Sequence, residues 1–264
     1  MRELGAGRQR LSDPVVRYSY PNSRNAAGDP DSPRLCPDGG DEVPANAARR
    51  SVLATHVQMM GNSDNIATRA LELRYGRGAL NRFAVRLGMA DTRLDQIIGC
   101  GFDGGHRNAT TLADLGRLYG SVAGGALGPP GAERQFRRLM DADAYDLGPV
   151  VRAEAARLGA GAAADRFLAR THMVSKGGSY TLCEATCTPH TTIVTEAGLL
   201  TVPVRTRRGR VRPRKFTFGA FIDRVRVDCL PCAADDAQYQ AVGRSVPEVL
   251  RPAIRRALRT WRPR

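Results

Sequence analysis

Apolar residues in the first two thirds of the chain recur at intervals of three and four, which is typical of helices that bury one face. Leu112, Leu115 and Leu118 show this spacing, and Thr111 before them is a residue type that caps helix N-termini. The spacing predicts six helical segments, at 47–61, 63–76, 79–87, 112–123, 132–140 and an Ala-rich stretch that ends at Leu168.

The pattern changes after His172. Residues 173–180 are predicted to form a strand, and residues 191–204 are rich in Val, Leu, Ile and Thr. Positions 216–223 alternate with a period of two, which indicates a further strand, and a helix is predicted at 246–261. Helices followed by successive antiparallel strands and a final helix predict an α+β fold with its sheet built late in the sequence.

The first 46 residues have a different character. Residues 1–14 are predicted to be the tail of a helix and a turn, and residues 15–20 an extended stretch. Residues 21–44 are rich in Pro, Gly, Asp, Asn and Ser without helical or strand periodicity. We therefore expect an irregular segment at 1–46 and one domain at 47–264, helical over 47–170 and with sheet and terminal helix over 171–264.

Composition excludes some classes of protein. The chain has 264 residues, of which 42% are hydrophobic, enough for a sizeable core. No run approaches the roughly 18 apolar residues of a membrane span, and the N-terminal residues contain no apolar signal segment. We expect no membrane span.

The net charge of +14 comes almost entirely from arginine, since lysine occurs only at Lys176 and Lys215. The densest basic run is 205–215, which fits either a solvated hairpin loop or an anion-binding patch for nucleic acid or cell-wall polymer. No aromatic residues are interleaved with this run, which weakens the nucleic-acid interpretation. We expect no nucleic-acid partner.

Six cysteines form the other conspicuous set. Four of them occur as a C-x3-C and a C-x2-C pair about 40 residues apart, a spacing that fits disulfides, a zinc site or free thiols. The cysteines are Cys36, Cys100, Cys183, Cys187, Cys229 and Cys232.

Two short motifs carry candidate chemistry. Ser63-Asp64-Asn65 lies where one predicted helix ends and the next begins, so it is either a helix cap or a cap that also presents a hydroxyl and an amide to a cleft. Lys176-Gly177-Gly178-Ser179 lies in a predicted strand. It is either a turn with an exposed lysine or a strand whose missing side chains let a substrate approach beside a positive charge.

Together these motifs resemble the serine penicillin-recognising enzymes, and most specifically the class A β-lactamase catalytic domain. Residues 59–68, from Met59 to Thr68, resemble the helix of that family that carries Ser-Asp-Asn. Residues 80–92 resemble its next helix and turn, and residues 108–115 resemble the segment after its active-site loop. The resemblance implies a β-lactamase/transpeptidase-like fold.

The resemblance also implies acyl transfer through a serine nucleophile that a neighbouring lysine activates. By this resemblance Ser63 relays a proton to the departing nitrogen, and Asn65 binds the substrate amide and steadies the catalytic lysine. Lys176 favours a substrate carboxylate, and Gly177 and Gly178 leave room for the substrate. The backbone N–H of Ser179 provides half of the oxyanion hole.

The chain departs from the family pattern at three places. No Ser-x-x-Lys precedes Ser63, so we expect either a start that falls too late, with the nucleophile and an export signal upstream, or a truncated and inert product. The family's loop glutamate is missing, with Asp95, Asp103 and His106 as weak substitutes, which predicts slow deacylation. Gly177 replaces the usual Thr or Ser hydroxyl, which weakens carboxylate recognition.

These considerations predict a serine hydrolase acting on a β-lactam or D-amino-peptide amide. The alternative is a catalytically inactive β-lactamase-like domain that binds peptidoglycan fragments or a protein partner. We expect no cofactor and no metal, a small-molecule β-lactam or peptidoglycan-like peptide as ligand, and a monomer. For the full-length parent we expect an extracytoplasmic location, with disulfides among Cys183, Cys187, Cys229 and Cys232.

Overall fold

Helices fill the first part of the chain and strands dominate the second, as the hydrophobic spacing predicts. The computed structural model describes residues 9–17, 48–95, 108–128, 132–142, 145–183, 190–227 and 233–261. The chain divides into two compact units, Met1–Met140 and Asp141–Arg264.

The first unit contains two short strands and five helices in the part described. Its elements are β1 (Pro14–Arg17), β2 (Ala48–Ser51), α1 (Val52–Gly61), α2 (Asn65–Tyr75), α3 (Arg77–Arg86), α4 (Leu112–Ala123) and α5 (Ala132–Leu139). Residues 48–51 were predicted to be helical, and this prediction is wrong. They form a strand because they pair antiparallel with residues 14–17, a partner distant in sequence.

A small core joins the two strands to the first two helices. Val15 of β1, Val52 of α1 and Leu71 of α2 are buried and pack together. Leu112–Ala123 forms α4 as predicted, and the Thr111 hydroxyl accepts a hydrogen bond from the Asp114 N–H at 3.1 Å as its N-cap.

The second unit places a four-stranded antiparallel sheet beside helices. Its elements are β3 (Asp141–Ala142), α6 (Gly148–Arg157), a 3-10 turn (Gly161–Ala163), α7 (Ala164–Leu168), β4 (His172–Cys183), β5 (His190–Arg205), β6 (Val211–Val227), α8 (Ala233–Leu258) and a final 3-10 turn (Arg259–Trp261). The strand order is β3-β4-β5-β6, so the predicted run of successive antiparallel strands is confirmed.

The hairpin of β5 and β6 contains more strand than the sequence predicted. Only five residues of the basic run form the turn, in which the Thr206 N–H donates to the Arg210 carbonyl at 2.8 Å. Gly209 lies in the left-handed region, with φ of 76°, where a glycine is favoured. The rest of the basic run lies in the strands.

The main core of the second unit lies between one face of the sheet and helix α8. Leu200, Leu250 and Ile254 are among its most deeply buried side chains. The Trp261 ring meets Phe167 edge to face at a centroid distance of 6.1 Å, and its indole N–H donates to the Pro203 carbonyl at 3.0 Å. Helix α8 begins at Ala233, earlier than the predicted start at 246.

Some predictions fall outside the described residues. These include the irregular segment at 18–47 and five of the six cysteines, while Cys183 is described only as the last residue of β4. The domain boundary at 46 and the disulfides therefore stay predictions. In the described part of the chain, no helix combines the length and hydropathy needed to cross a membrane.

Candidate active site

Ser63 adopts an uncommon backbone conformation. Its φ of 52° lies in the left-handed region, and among the described residues other than glycine it alone has a positive φ. The residue is exposed and turns the chain between the end of α1 and the start of α2. The left-handed conformation costs a non-glycine residue about 1 kcal/mol, and such residues concentrate at functional sites.

Hydrogen bonds on both sides of Ser63 hold this turn. The N–H groups of Asn62 and Asp64 both donate to the Gln58 carbonyl, at 3.1 and 3.2 Å. The Asp64 carboxylate accepts from the Ala67 N–H at 2.9 Å and caps α2. The capping oxygen of the motif is therefore that of Asp64, while Asn65 is the first residue of α2.

The second motif lies in β4, as predicted. Lys176 is half-buried, and its Nζ donates to the Gly177 carbonyl at 2.5 Å. Gly178 and Ser179 are exposed. The strand register places Gly177 opposite Glu196 of β5.

Glu196 and Tyr145 were missed by sequence reasoning. Glu196 is only 6% exposed, and its Oε2 accepts a hydrogen bond from the Tyr145 hydroxyl at 2.8 Å. Its other oxygen, Oε1, is buried and accepts no hydrogen bond from any described residue. One signal was available, because Glu196 is the only acidic residue between Glu184 and Asp223 and interrupts an apolar strand.

The Tyr145 hydroxyl remains a donor over a wide pH range. Burial raises the pKa of Tyr145, and the hydrogen bond to the negatively charged Glu196 raises it further. A protonated phenol can therefore donate to Glu196 Oε2 at neutral pH, and this bond fixes where the carboxylate lies.

The missing side chain of Gly177 leaves room for this carboxylate. A Cβ atom at Gly177 would lie 2.6 Å from Glu196 Oε2, so the carboxylate would have to shift. At Gly178 a Cβ would meet only Thr195 Oγ1, at 3.4 Å. The carboxylate of Glu196 thus occupies the space where a side chain at position 177 would begin.

The segment where the family glutamate was sought is anchored at both ends. Arg93 pairs with Ala109 in a β-bridge, and the Asp95 N–H donates to Asn108 Oδ1 at 2.8 Å. The Asp95 carboxylate lies 2.5 Å from Arg93 Nε. The two other substitutes for the glutamate, Asp103 and His106, lie outside the described residues.

A buried aspartate of helix α4, Asp114, binds the chain segment just before Arg93. Asp114 is fully buried and accepts hydrogen bonds from the Asp91 N–H and the Thr92 hydroxyl, at 2.9 and 2.8 Å. Burial alone would raise the pKa of Asp114, but the bonds from Thr92, Arg117 and Asp91 outweigh it and lower the pKa below its ordinary value. The carboxylate therefore stays ionised at neutral pH.

The predicted site residues are divided between the units. Ser63 and Asn65 belong to the first unit, and Lys176, Gly177, Gly178 and Ser179 belong to the second. Within each unit the residues of one motif are adjacent along a single turn or strand, where each motif was predicted.

Comparison with known proteins bears on both fold and family. Residues 40–152 match the model of the beta-lactamase enzyme family, a stretch that includes Ser63-Asp64-Asn65. This stretch of the chain is therefore similar to the beta-lactamase enzyme family. Among proteins with curated functions, none is significantly similar to it.

Solved structures of beta-lactamases share the fold over nearly the whole chain. A beta-lactamase from Sphaerobacter thermophilus is 19% identical, with a TM-score of 0.51 over 97% of this chain and 75% of that one. A beta-lactamase from Chitinophaga pinensis is 11% identical, with a TM-score of 0.55 over 95% and 79%. A class A beta-lactamase from Bacteroides cellulosilyticus is 13% identical, with a TM-score of 0.54 over 96% and 78%. The predicted α+β, β-lactamase-like fold is therefore confirmed.

Proposed function

We propose that this β-lactamase-like serine hydrolase domain binds a β-lactam or a D-amino-peptide amide and contributes groups for acyl-enzyme chemistry. The observation that carries the proposal is Ser63, a hydroxyl-bearing residue with φ of 52° in a turn that hydrogen bonds hold on both sides. Strained residues persist where the surrounding structure fixes them, often because their position matters for function.

Each motif residue has a proposed role. Ser63 relays a proton to the departing nitrogen, and Asn65 donates to the substrate amide. Lys176 supplies positive charge beside the substrate strand, while Gly177 and Gly178 leave its backbone accessible. The Ser179 N–H is one donor to the oxyanion.

The second candidate is a binding domain without turnover. Two sequence observations favour it, because no Ser-x-x-Lys and no Glu-x-x-Leu-Asn occur within these 264 residues. A domain of this kind would hold a peptidoglycan-like peptide or a protein partner through the same strand. For either candidate we propose a monomer in an extracytoplasmic location, with disulfides among the four later cysteines.

Reaction with a fluorescent penicillin distinguishes formation of an acyl-enzyme from binding without a covalent bond. We expect no covalent label on this chain after denaturing electrophoresis, because its sequence holds no Ser-x-x-Lys nucleophile. A stoichiometric label would show that another serine acts as the nucleophile and would overturn the assigned roles.

Ligand binding then tests the proposed recognition groups. We expect N-acetyl-D-alanyl-D-alaninamide to bind the chain by isothermal titration, and Asn65→Ala to weaken binding about tenfold by removing a hydrogen bond from a partly buried amide. Asn62→Ala is the matched control, since the exposed Asn62 side chain donates to Gln58 Oε1 at 2.8 Å. Equal effects of the two variants, or no binding at all, would contradict the proposal.

A further inference from the structure

The hairpin of β5 and β6 presents a dense group of arginine side chains to solvent. All arginines of the basic run are exposed, and together they are called the hairpin surface: Arg205, Arg207, Arg208, Arg210, Arg212 and Arg214. No Asp or Glu occurs from position 197 to position 222, so the hairpin has no negative charge of its own to balance them. Among the described residues, none forms an ion pair with Arg208, Arg210 or Arg212.

Aromatic rings hold two arginines of the hairpin surface in place. The guanidinium carbon of Arg205 lies 4.8 Å from the centroid of the Trp261 ring, and that of Arg214 lies 5.6 Å from the centroid of the Phe216 ring. Trp261 is itself buried and fixed by its hydrogen bond to the Pro203 carbonyl. A cation restrained over a ring loses less conformational freedom when it binds an anion, and its N–H groups can still donate.

The end of helix α8 adds positive charge beside the hairpin surface. The Arg205 N–H donates to Thr260 Oγ1 at 2.9 Å, which joins the hairpin to the final 3-10 turn. Arg259 of that turn and Arg256 of the last turn of α8 are both exposed. The positive charge therefore continues from the hairpin to the described end of the chain.

The arginines of β6 form a row along the strand. Arg212 and Arg214 lie opposite Val204 and Val202 of β5, so both side chains leave the same face of β6. Alternate residues of a strand are about 7 Å apart, a spacing similar to that of phosphates joined by an extended three-carbon link. Two such guanidinium groups can therefore contact successive phosphates of one polymer, each through a pair of parallel hydrogen bonds.

We propose that the hairpin surface binds a linear phosphodiester polymer of the cell-wall type, poly(glycerol phosphate), through its phosphate groups. The proposal goes beyond the proposed function and does not depend on it. In the described part of the hairpin the aromatic side chains are buried or half-buried, so no exposed ring offers a stacking platform for nucleic-acid bases. The turn at 206–210 contains no apolar side chain that could insert among lipid chains.

Isothermal titration of the full chain with poly(glycerol phosphate) tests the proposal. We expect binding that weakens by roughly tenfold or more between 50 and 200 mM salt, because each contacted phosphate releases counterions. The triple variant Arg208→Gln, Arg210→Gln and Arg212→Gln should weaken binding by about tenfold or more at low salt. Arg210→Gln alone should weaken it by about threefold, which keeps the test decisive if the triple variant does not fold.

A matched control separates the hairpin surface from net charge. Arg82→Gln, Arg134→Gln and Arg138→Gln together remove the same charge from exposed positions of the first unit. This control should change binding by less than about threefold, since charges away from the contact are screened by salt. Equal losses in the two triple variants would mean that only the net charge attracts the polymer and would overturn the proposal.

Three further titrations decide which anion the surface recognises. They use polygalacturonate, which carries carboxylates, single-stranded oligothymidylate, which adds bases, and vesicles of phosphatidylglycerol and phosphatidylcholine. We expect none of them to bind the unaltered chain more tightly than poly(glycerol phosphate), and polygalacturonate to bind more weakly. Tighter binding of any of the three that the hairpin variant abolishes would assign the surface to that partner and overturn the proposal, as would no binding of poly(glycerol phosphate) at low salt.

Discussion

The backbone angle φ of Ser63 is the main structural support for the role proposed for this residue. Serine at φ of 52° is less stable there than glycine would be, yet the adjacent Asn62 and Asp64 both hydrogen-bond to Gln58 and hold the turn. The side chain of Asp64, not of Ser63, caps α2. The costly conformation of Ser63 supports its proposed role, because strained residues concentrate at functional sites.

The cost of this conformation can be measured with two substitutions at one position. We expect Ser63→Gly to be more stable than Ser63→Ala by about 1 kcal/mol, because glycine adopts positive φ without the clash of a Cβ. Urea unfolding followed by circular dichroism gives the difference. Both variants lack the hydroxyl, so they serve as controls for each other. Equal stabilities would mean that the turn relaxes when Ser63 is replaced.

Gly177 and Gly178 provide a second matched pair at the residue scale. Gly177→Ala places a Cβ 2.6 Å from Glu196 Oε2, whereas Gly178→Ala makes an ordinary approach of 3.4 Å to Thr195 Oγ1. We expect the first change to destabilise the protein by about 1–3 kcal/mol, as overpacking does, and the second by clearly less. Thermal unfolding compares them, and a tolerated Gly177→Ala would show that the carboxylate can move aside.

At the scale of elements, the sequence predicted an element correctly where the residues that start and stabilise it lie within the same short stretch. Helix α4 was predicted because Thr111 and the leucine spacing lie within one short stretch. Strand β2 was not, since only its pairing with β1 makes residues 48–51 extended. The first half of α8 was also missed, because Gly243 and Pro247 weaken its local helical signal while burial of Val242 and Val246 stabilises it.

The same distinction applies to the candidate site. Ser63, Asn65 and the Lys176 strand could be found from residue types in short motifs. Glu196 and Tyr145 could not, because cross-strand register and the chain leading into α6 bring them together. Register depends on the whole sheet, so a lone acidic residue in an apolar strand was the most that sequence could offer.

Helices α6 and α8 are joined by one buried carboxylate. Glu154 of α6 is 1% exposed and accepts from Arg251 Nη1 at 2.9 Å and from Arg255 Nε at 2.7 Å, both in α8. Removing one partner of a buried ion cluster leaves charge without compensation, which is strongly destabilising. This contact is the main polar link between the two helices in the part of the chain described.

We expect Glu154→Gln to lower the melting temperature by roughly 5 °C or more. Glu248→Gln is the matched control, since Glu248 also pairs with Arg251 but is 61% exposed. Exposed ion pairs contribute little, so the control should change the melting temperature by less than about 2 °C. Differential scanning calorimetry distinguishes them. A similar fall in melting temperature in both variants would show that the buried ion pairs of Glu154 contribute no more to stability than the exposed pair of Glu248.

At the scale of the whole molecule, each unit contains a buried carboxylate with a lowered pKa. The pKa of Glu154 falls to about 2, chiefly through hydrogen bonds from Arg255 and Arg251. In the first unit the hydrogen bonds to Asp114 outweigh its burial and also lower its pKa. A carboxyl whose folded-state pKa is lowered stabilises the protein above its unfolded pKa and ceases to do so as pH falls through the folded value.

We therefore expect stability to be steady above about pH 5 and to decline as the pH falls towards about 2. Melting temperatures measured across this range test the prediction. Asp114→Asn should flatten the decline for the first unit and Glu154→Gln for the second, and the two changes should add because the residues share no partner. A decline that neither variant alters would show that other groups govern acid unfolding.

The hairpin of β5 and β6 has a consequence for association between molecules. Strand β6 is one of the two outer strands of the described sheet, the other being the two-residue β3, and a long outer strand can recruit the strand of another copy. Pro213 has no N–H to offer, and the exposed Arg212 and Arg214 flank it with like charge. An edge with these residues is a poor template for a further strand, so we expect this part of the basic run to disfavour extension of the sheet by neighbouring copies.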